Sequence, residues 1–216
     1  MGIVSFFKGI TVLEEITSPV NGKISVVKSL GLGTYFQVGD LTQSGGIVYE
    51  IWKTTLKKIK SEVSEPGNIL ILGLGGGNCA KLSRKLWPFA RITGVDFDKV
   101  IVDLGRKYLG LGDVNAEVVV SDAYEFIEKS VAEKKEYDLV IVDLYVGQEF
   151  PIVFENDAFL QNINKILSKN GVVVFNRLYF ADKRPQAVKF GNNLEKIFNK
   201  VEYFYPEANV MLIARK

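Results

Sequence analysis

A glycine-rich turn, Gly73-Leu74-Gly75-Gly76-Gly77-Asn78, follows the unbroken apolar run Ile69–Leu72 and opens a helical stretch, Asn78–Leu86. A short run of Ile and Leu with no polar alternation is what a strand covered on both faces of a parallel sheet requires. Glycines after it let the chain reverse sharply and bring its backbone against a ligand with no Cβ in the way. The pattern then repeats. Strand-like Ile92–Val95, Glu117–Val120, Tyr137–Val142 and Gly171–Phe175 alternate with helical Lys99–Tyr108, Ala123–Lys134, Ala158–Leu167 and Arg184–Phe198. Such alternation predicts an open, mostly parallel α/β sheet. Val201–Tyr205 and Val210–Ala214, joined across Pro206-Glu207-Ala208-Asn209, add a hairpin and with it an antiparallel C-terminal strand.

Upstream of the turn the periodicity differs. Thr11–Ile16, Lys23–Val27 and Thr34–Val38 are short β-branched and aromatic runs, the first two separated by the turn sequence Pro19-Val20-Asn21-Gly22. They predict a small antiparallel sheet. From Val48 to Ser61 the spacing becomes helical, with Val48, Ile51, Leu56 and Ile59 on one stripe, and Glu65-Pro66-Gly67-Asn68 ends it. The expected organisation is an N-terminal antiparallel β-domain over residues 1–48 and a Rossmann-like α/β domain over residues 49–216.

Composition removes several chemistries. The 216 residues contain no histidine, so Ser-His-Asp and Cys-His nucleophile pairs and His-ligated zinc are excluded. Acid–base work falls to Asp, Glu, Lys, Tyr or Cys. The single cysteine, Cys79, forms no intramolecular disulfide and fits a reducing compartment. Net charge is +2, from 27 basic and 25 acidic residues, too balanced to point to nucleic acid. No stretch has the roughly 18 apolar residues of a membrane span, and Met1–Lys8 lacks the pattern of a secretory signal. The expectation is a soluble, cytoplasmic protein without a nucleic-acid or membrane partner.

The turn reads Gly-x-Gly-x-Gly, with Asn78 where a dinucleotide fingerprint carries its last glycine, and no Lys-Ser or Lys-Thr pair follows to make a P-loop. Three acids lend it meaning. Asp96, Asp122 and Asp143 end the second, third and fourth parallel strands, at the rim where open α/β sheets bind ligands. An ionised carboxylate accepts two hydrogen bonds and a ribose diol donates two, which suits Asp96. Asp122 is placed to accept from an adenine amino group. Asp143 stands nearest the sheet centre and the reacting atoms. The competing explanation is that each acid caps the following helix. No metal is implied.

At these residues the chain resembles the class I S-adenosylmethionine-dependent methyltransferase fold, and more closely the spermidine synthase family built on it. The family's Gly-Gly-Gly-Asp-Gly-Gly is similar to Gly75-Gly76-Gly77-Asn78-Cys79-Ala80, its ribose-binding strand to Val95-Asp96-Phe97-Asp98, and its Gly-Asp-Gly/Ala-Phe-Glu-Phe-Leu segment to Ser121–Ile127. Asp40–Gly45 and Val48-Tyr49-Glu50 resemble the stretch that closes over the site. The resemblance implies S-adenosylmethionine, or its decarboxylated form, held by Gly73, Gly75, Gly77, Asn78, Asp96, Phe97, Asp122 and Ala123. It implies Asp143 as the catalytic base, Gln43, Tyr49 and Tyr145 around a small-molecule acceptor, and a homodimer.

Departures from the family pattern carry as much information. Its Asp-Ser-x-Asp-Pro is Asp143-Leu144-Tyr145-Val146-Gly147 here, so the first acid stays and the diamine-binding acid becomes Val146. The acid that holds the ammonium of decarboxylated S-adenosylmethionine is Asn78, and the Tyr-His-Glu stretch keeps only Tyr49-Glu50. Two neutral residues replace two partners for positive charge. The S-adenosylmethionine carboxylate tolerates an asparagine at a helix N-terminus better than an aspartate. The expected activity is therefore methyl transfer to a small acceptor. Aminopropyl transfer with a rebuilt diamine pocket and a non-catalytic nucleoside-binding or dimerisation module are the alternatives. Tyr145 is expected to line the acceptor pocket or cover the sheet edge, Cys79 to be a core residue or an activated thiolate, and Arg177 to serve an anionic acceptor or a surface contact. The cluster Lys53, Lys57, Lys58 and Lys60 fits a solvated helix face.

Overall fold

Antiparallel strands β1 (Ile10–Ser18), β2 (Gly22–Ser29), β3 (Gly33–Val38) and β4 (Leu41–Gly45) form a four-stranded sheet in that order. The structure, a computed structural model, describes residues 9–39 and 41–216; Met1–Lys8 and Asp40 lie outside the described residues. Gly22 closes the first turn at φ +65°, as the Asn21-Gly22 pair requires. Strand β4 is not legible as a strand, because Thr42-Gln43-Ser44 carries no apolar alternation. It exists because its backbone pairs with β3, from Tyr35↔Gly45 to Val38↔Leu41. Helix α1 (Gly46–Lys60) follows directly, two residues before the expected start.

A seven-stranded sheet, in the order β10-β11-β9-β8-β5-β6-β7, forms the rest. Its strands are β5 (Asn68–Leu72), β6 (Arg91–Asp96), β7 (Glu117–Val120), β8 (Tyr137–Val142), β9 (Leu167–Leu178), β10 (Lys200–Phe204) and β11 (Asn209–Arg215). Helices α2 (Asn78–Leu86), α3 (Lys99–Tyr108), α4 (Ala123–Ala132), α5 (Asp157–Ile166) and α6 (Lys183–Ile197) alternate with them. The pairs β5–β6, β6–β7, β5–β8 and β8–β9 are parallel, while β11 lies antiparallel between β9 and β10. This is the expected Rossmann-like methyltransferase topology. The central strands have no exposure at Ile69–Leu72 and Leu139–Val142, so both faces are packed. One face meets α4, α5 and α6 through Ile127, Phe159, Ile163, Phe190 and Leu194. The other meets α1 and α2 through Trp52, Leu56, Ala80 and Leu82.

The fifth parallel strand is longer than expected. It starts at Leu167, expected as the end of a helix, and runs through Ser168-Lys169-Asn170, which precede the expected strand. A register break falls within this stretch, where Tyr137 pairs Leu167 and Leu139 pairs Val172. Pairing with β11 as far as Asn209↔Leu178 carries the strand past Phe175.

The small sheet rests on α3, with Ile24, Val26 and Phe36 packed against Ile101 and Leu104. A glycine on α3 allows the helix to come this close to the glycine-rich turn. A Cβ at Gly105 would lie 2.7 Å from the Gly76 Cα, against backbone that has no room to retreat. Adding that methyl outweighs the helix propensity that alanine gains. Gly105→Ala is expected to cost about 2 kcal/mol and lower the melting temperature by about 4–8 °C, measurable by calorimetry.

Candidate functional site

Chain order carries β6 and β7 to one side of β5 and β8 to the other, so the sheet reverses between β5 and β8. At such a switch point the loops leaving the two strands diverge and open a crevice. The loops here are the glycine turn and the segment from Asp143. They touch at their roots: Gly73 has φ +84°, and a Cβ there would stand 2.1 Å from the Asp143 carbonyl oxygen. Above them is a cavity of about 570 Å³, walled on its far side by Gln43, Ser44 and Trp52 from β4 and α1.

Asp96 ends β6 and is held from two sides. Its Oδ2 accepts from the Gly75 N–H at 2.6 Å and its Oδ1 from the Asp98 N–H at 2.9 Å. Burial pushes its carboxyl up to about 6 against those two backbone donors, with the Asp98 and Asp143 carboxylates adding to the rise. Asp98 is the residue that caps α3, accepting from Val100 N–H at 2.9 Å. It also ties down the β1–β2 turn, accepting from Ser18 Oγ at 2.5 Å and Asn21 Nδ2 at 2.7 Å.

Asp122 caps α4 through Oδ1, which accepts from Tyr124 and Glu125 N–H at 2.7 and 3.2 Å, and it lines the cavity beside Ala123. The capping explanation therefore holds for Asp122 and not for Asp96 or Asp143. Asp143 is engaged by side chains alone. Its Oδ1 accepts from Asn176 Nδ2 at 2.8 Å and its Oδ2 from Trp52 Nε1 at 2.7 Å. Asn209 Nδ2 donates to Asn176 Oδ1 at 2.7 Å and so fixes which end of the Asn176 amide faces the acid. Burial raises the Asp143 carboxyl above the ordinary range, and the two donors oppose that rise. Sequence reasoning missed Trp52 and Asn209, since nothing local links them to Asp143.

The other expected residues divide. Gly73, Gly75, Asn78, Asp96, Phe97, Asp122, Ala123, Gln43, Asp143 and Tyr145 all line the cavity. Gln43 Nε2 donates to the Gly147 carbonyl at 3.0 Å, and Tyr145 Oη accepts from Leu178 N–H at 2.8 Å. Ser44, adjacent to Gln43, accepts from the Gly76 N–H at 2.8 Å and so pins the glycine turn. Gly77 lies outside the cavity: it precedes α2 in the left-handed conformation, and a Cβ there would meet Leu111 at 2.6 Å. Tyr49 also lies outside. It follows Val48, which does line the cavity, and one residue turns a helix by 100°. Tyr49 lines a second cavity instead, which shares Asn78 with the first.

Cys79 and Arg177 are structural. Burial, with the nearby Asp143 charge, raises the Cys79 thiol well above its ordinary value, the opposite of an activated thiolate. Arg177 is 3% exposed, paired with Glu155 at 2.8 Å and flanked by the rings of Phe150 and Phe190. The lysines of α1 are surface groups, with Lys53 on Glu50 and Lys58 on Glu202.

Among the described residues five carboxylates, Asp96, Asp98, Asp122, Asp143 and Glu207, line the main cavity, and no Lys or Arg does. Such a cavity attracts cations and repels anions. Asn78 is 7% exposed and its Nδ2 has no hydrogen-bond partner. Among the described residues no group of three or more acids or cysteines is placed to hold a metal ion, and no helix is long and apolar enough to cross a membrane.

A doubly wound sheet with a glycine turn and strand-end acids at its switch point defines a Rossmann-like fold of the methyltransferase type. Human methyltransferase-like protein 13, solved in complex with SAH, shares the fold at a TM-score of 0.63 and 20% identity, over 78% of this chain and 79% of that one. The chain belongs to the spermine/spermidine synthase domain family, whose model matches residues 51–208. It is 30% identical over 156 residues to an eEF1A lysine and N-terminal methyltransferase homolog of Drosophila melanogaster, covering 68% of this chain and 22% of that protein. It is 29% identical over 113 residues to a polyamine aminopropyltransferase of Vibrio vulnificus, covering 52% of this chain and 38% of that one. The chain thus spans less than half the length of these relatives.

Proposed function

We propose that this protein is an S-adenosylmethionine-dependent methyltransferase acting on a small acceptor that is neutral or positively charged. The observation that carries the reading is Asn78: the first residue of α2 is neutral, and its amide has an unpartnered donor. A cofactor carboxylate supplies the acceptor that such a donor lacks, whereas an ammonium there calls for an acid. Methyltransferases among the relatives and fold neighbours support the same side.

When bound, the cofactor supplies a methyl group on a positively charged sulfur. The carboxylates around the cavity stabilise that charge, and Asp96 accepts from the ribose hydroxyls. The Asp122 Oδ2, uninvolved in capping, accepts from the adenine amino group, and Phe97 covers the base. Asp143 takes the acceptor's proton, while Gln43 and Tyr145 shape the acceptor's end. The reading carries with it a cytoplasmic location, from the single cysteine, and a homodimer, which light scattering measures.

Aminopropyl transfer is the second reading, favoured by the family and by five carboxylates with no cation among them. Calorimetric titration separates the two. S-adenosylmethionine is expected to bind at least about ten-fold more tightly than its decarboxylated form, about 1.4 kcal/mol. The opposite preference overturns methyl transfer.

A further inference from the structure

The second cavity, about 380 Å³, lies behind Asn78, which belongs to the walls of both cavities. Its lining includes Thr34 from β3, Tyr49 and Glu50 from α1, and Lys81 from α2. Lys81 stands one turn after Asn78 on α2, so the two side chains share a helix face. Lys81 Nζ donates to the Leu109 carbonyl at 3.0 Å, leaving two of its three N–H donors free. Glu50, the carboxylate of this cavity, is paired with Lys53 at 2.8 Å. The N-terminus of α2 has no acid in its first turn and no side-chain cap. Lys81 is thus a cation on the same helix face as a buried, unpartnered amide at an uncapped helix start, and it lines the second cavity and not the main one with its five carboxylates.

We propose that the second cavity completes the cofactor site and that Lys81, with Asn78, reads the carboxylate that distinguishes S-adenosylmethionine from its decarboxylated form. The inference rests on the main cavity's being the adenosyl site. It gives Lys81 a role in specificity and moves Tyr49 from the acceptor to the amino-acid end of the cofactor. A carboxylate reaching past Asn78 escapes the negative field of the main cavity and enters that of Lys81 and the α2 N-terminus. An ammonium in the same place meets repulsion from both.

Titration of wild type, Lys81→Gln and Lys81→Glu with S-adenosylmethionine, decarboxylated S-adenosylmethionine and 5′-methylthioadenosine tests this. Lys81 is exposed, so the variants keep the fold, and 5′-methylthioadenosine, which lacks the amino-acid end, reports on the adenosine pocket alone. For S-adenosylmethionine, affinity is expected to fall about three-fold in Lys81→Gln and about ten-fold in Lys81→Glu, with the loss shrinking at high salt. 5′-Methylthioadenosine is unchanged, the decarboxylated form is unchanged or tighter in Lys81→Glu, and Lys81→Arg restores wild-type affinity. If the ratio of the two sulfonium affinities stays the same in wild type and Lys81→Glu, the inference is overturned. A wild type that prefers the decarboxylated form overturns methyl transfer instead, a separate outcome because it is read on the unmutated protein.

Discussion

The expected result of Asp143→Asn is a loss of about a thousand-fold in turnover, with affinity for S-adenosylhomocysteine changed by less than about two-fold. The effect is large because no other titratable side chain shares the position. Asp143 ends at the switch point with one oxygen on Asn176 and the other on Trp52. Each donor leaves its oxygen a second lone pair for an acceptor's proton. Burial raises the carboxyl, which makes it a stronger base once ionised. The substitution also sets an amide N–H₂ against one of two donors, Asn176 Nδ2 or Trp52 Nε1, and the Asn176 amide cannot turn to present its oxygen without breaking its bond from Asn209. A donor facing a donor costs about 1–3 kcal/mol, so Asp143→Ala is the companion variant. Both variants should lose turnover while only the first carries that conflict. Turnover in wild type is expected to rise with pH through the raised carboxyl value and to lose that dependence in Asp143→Ala. Substantial activity in Asp143→Ala would remove Asp143 from the chemistry.

Asp96→Ala is expected to weaken S-adenosylhomocysteine binding by about a hundred-fold, the scale of two charge-assisted hydrogen bonds lost together. It also releases the Gly75 N–H, so the glycine turn loses its anchor on β6. The pH dependence is a second, independent sign of the same residue. With the carboxyl at about 6, Asp96 is ionised above that pH and protonated below it. If the ionised form binds the ribose hydroxyls, the dissociation constant rises about ten-fold per pH unit below 6 and is flat above it. Folding stability moves the other way. The native state holds this proton more tightly than the unfolded chain between the ordinary carboxyl value of 3.8 and about 6. Its contribution to stability therefore falls as pH rises through that window. Weaker binding at pH 5 than at pH 7 cannot then be ascribed to acid unfolding through Asp96. Binding that is flat from pH 5 to pH 8 would sink the assignment.

Some of this site is written locally and some is not. Ile69–Leu72 and Tyr137–Val142 are apolar throughout, which states that they are central strands, and an acid after each strand then falls on the ligand-binding rim. The partners of those acids are not local. Trp52 reaches Asp143 across 91 positions and Asn176 across 33, and only the assembled sheet brings them together. Strand β4 escapes notice because pairing with β3, not side-chain pattern, makes it a strand. The buried stripe at Ile51, Trp52, Thr55, Leu56 and Ile59 sets the phase of α1 and leaves Tyr49 on its flank. Gly105 reads as an unfavourable residue inside a helix, and only the backbone of Gly76 beside it explains why it is there.

The tie between the β1–β2 turn and Asp98 links the two sheets energetically. Ser18 and Asn21 donate to a carboxylate that also caps α3, and the Asp98 N–H in turn holds the Asp96 carboxylate. Fraying of the N-terminal sheet would leave the buried Asp98 carboxylate with fewer partners at the start of α3, beside the N–H that holds Asp96. Opening that hairpin therefore disturbs the residue next to Asp96. A ligand that binds Asp96 only in this arrangement is expected, by mass action, to hold the hairpin closed as well.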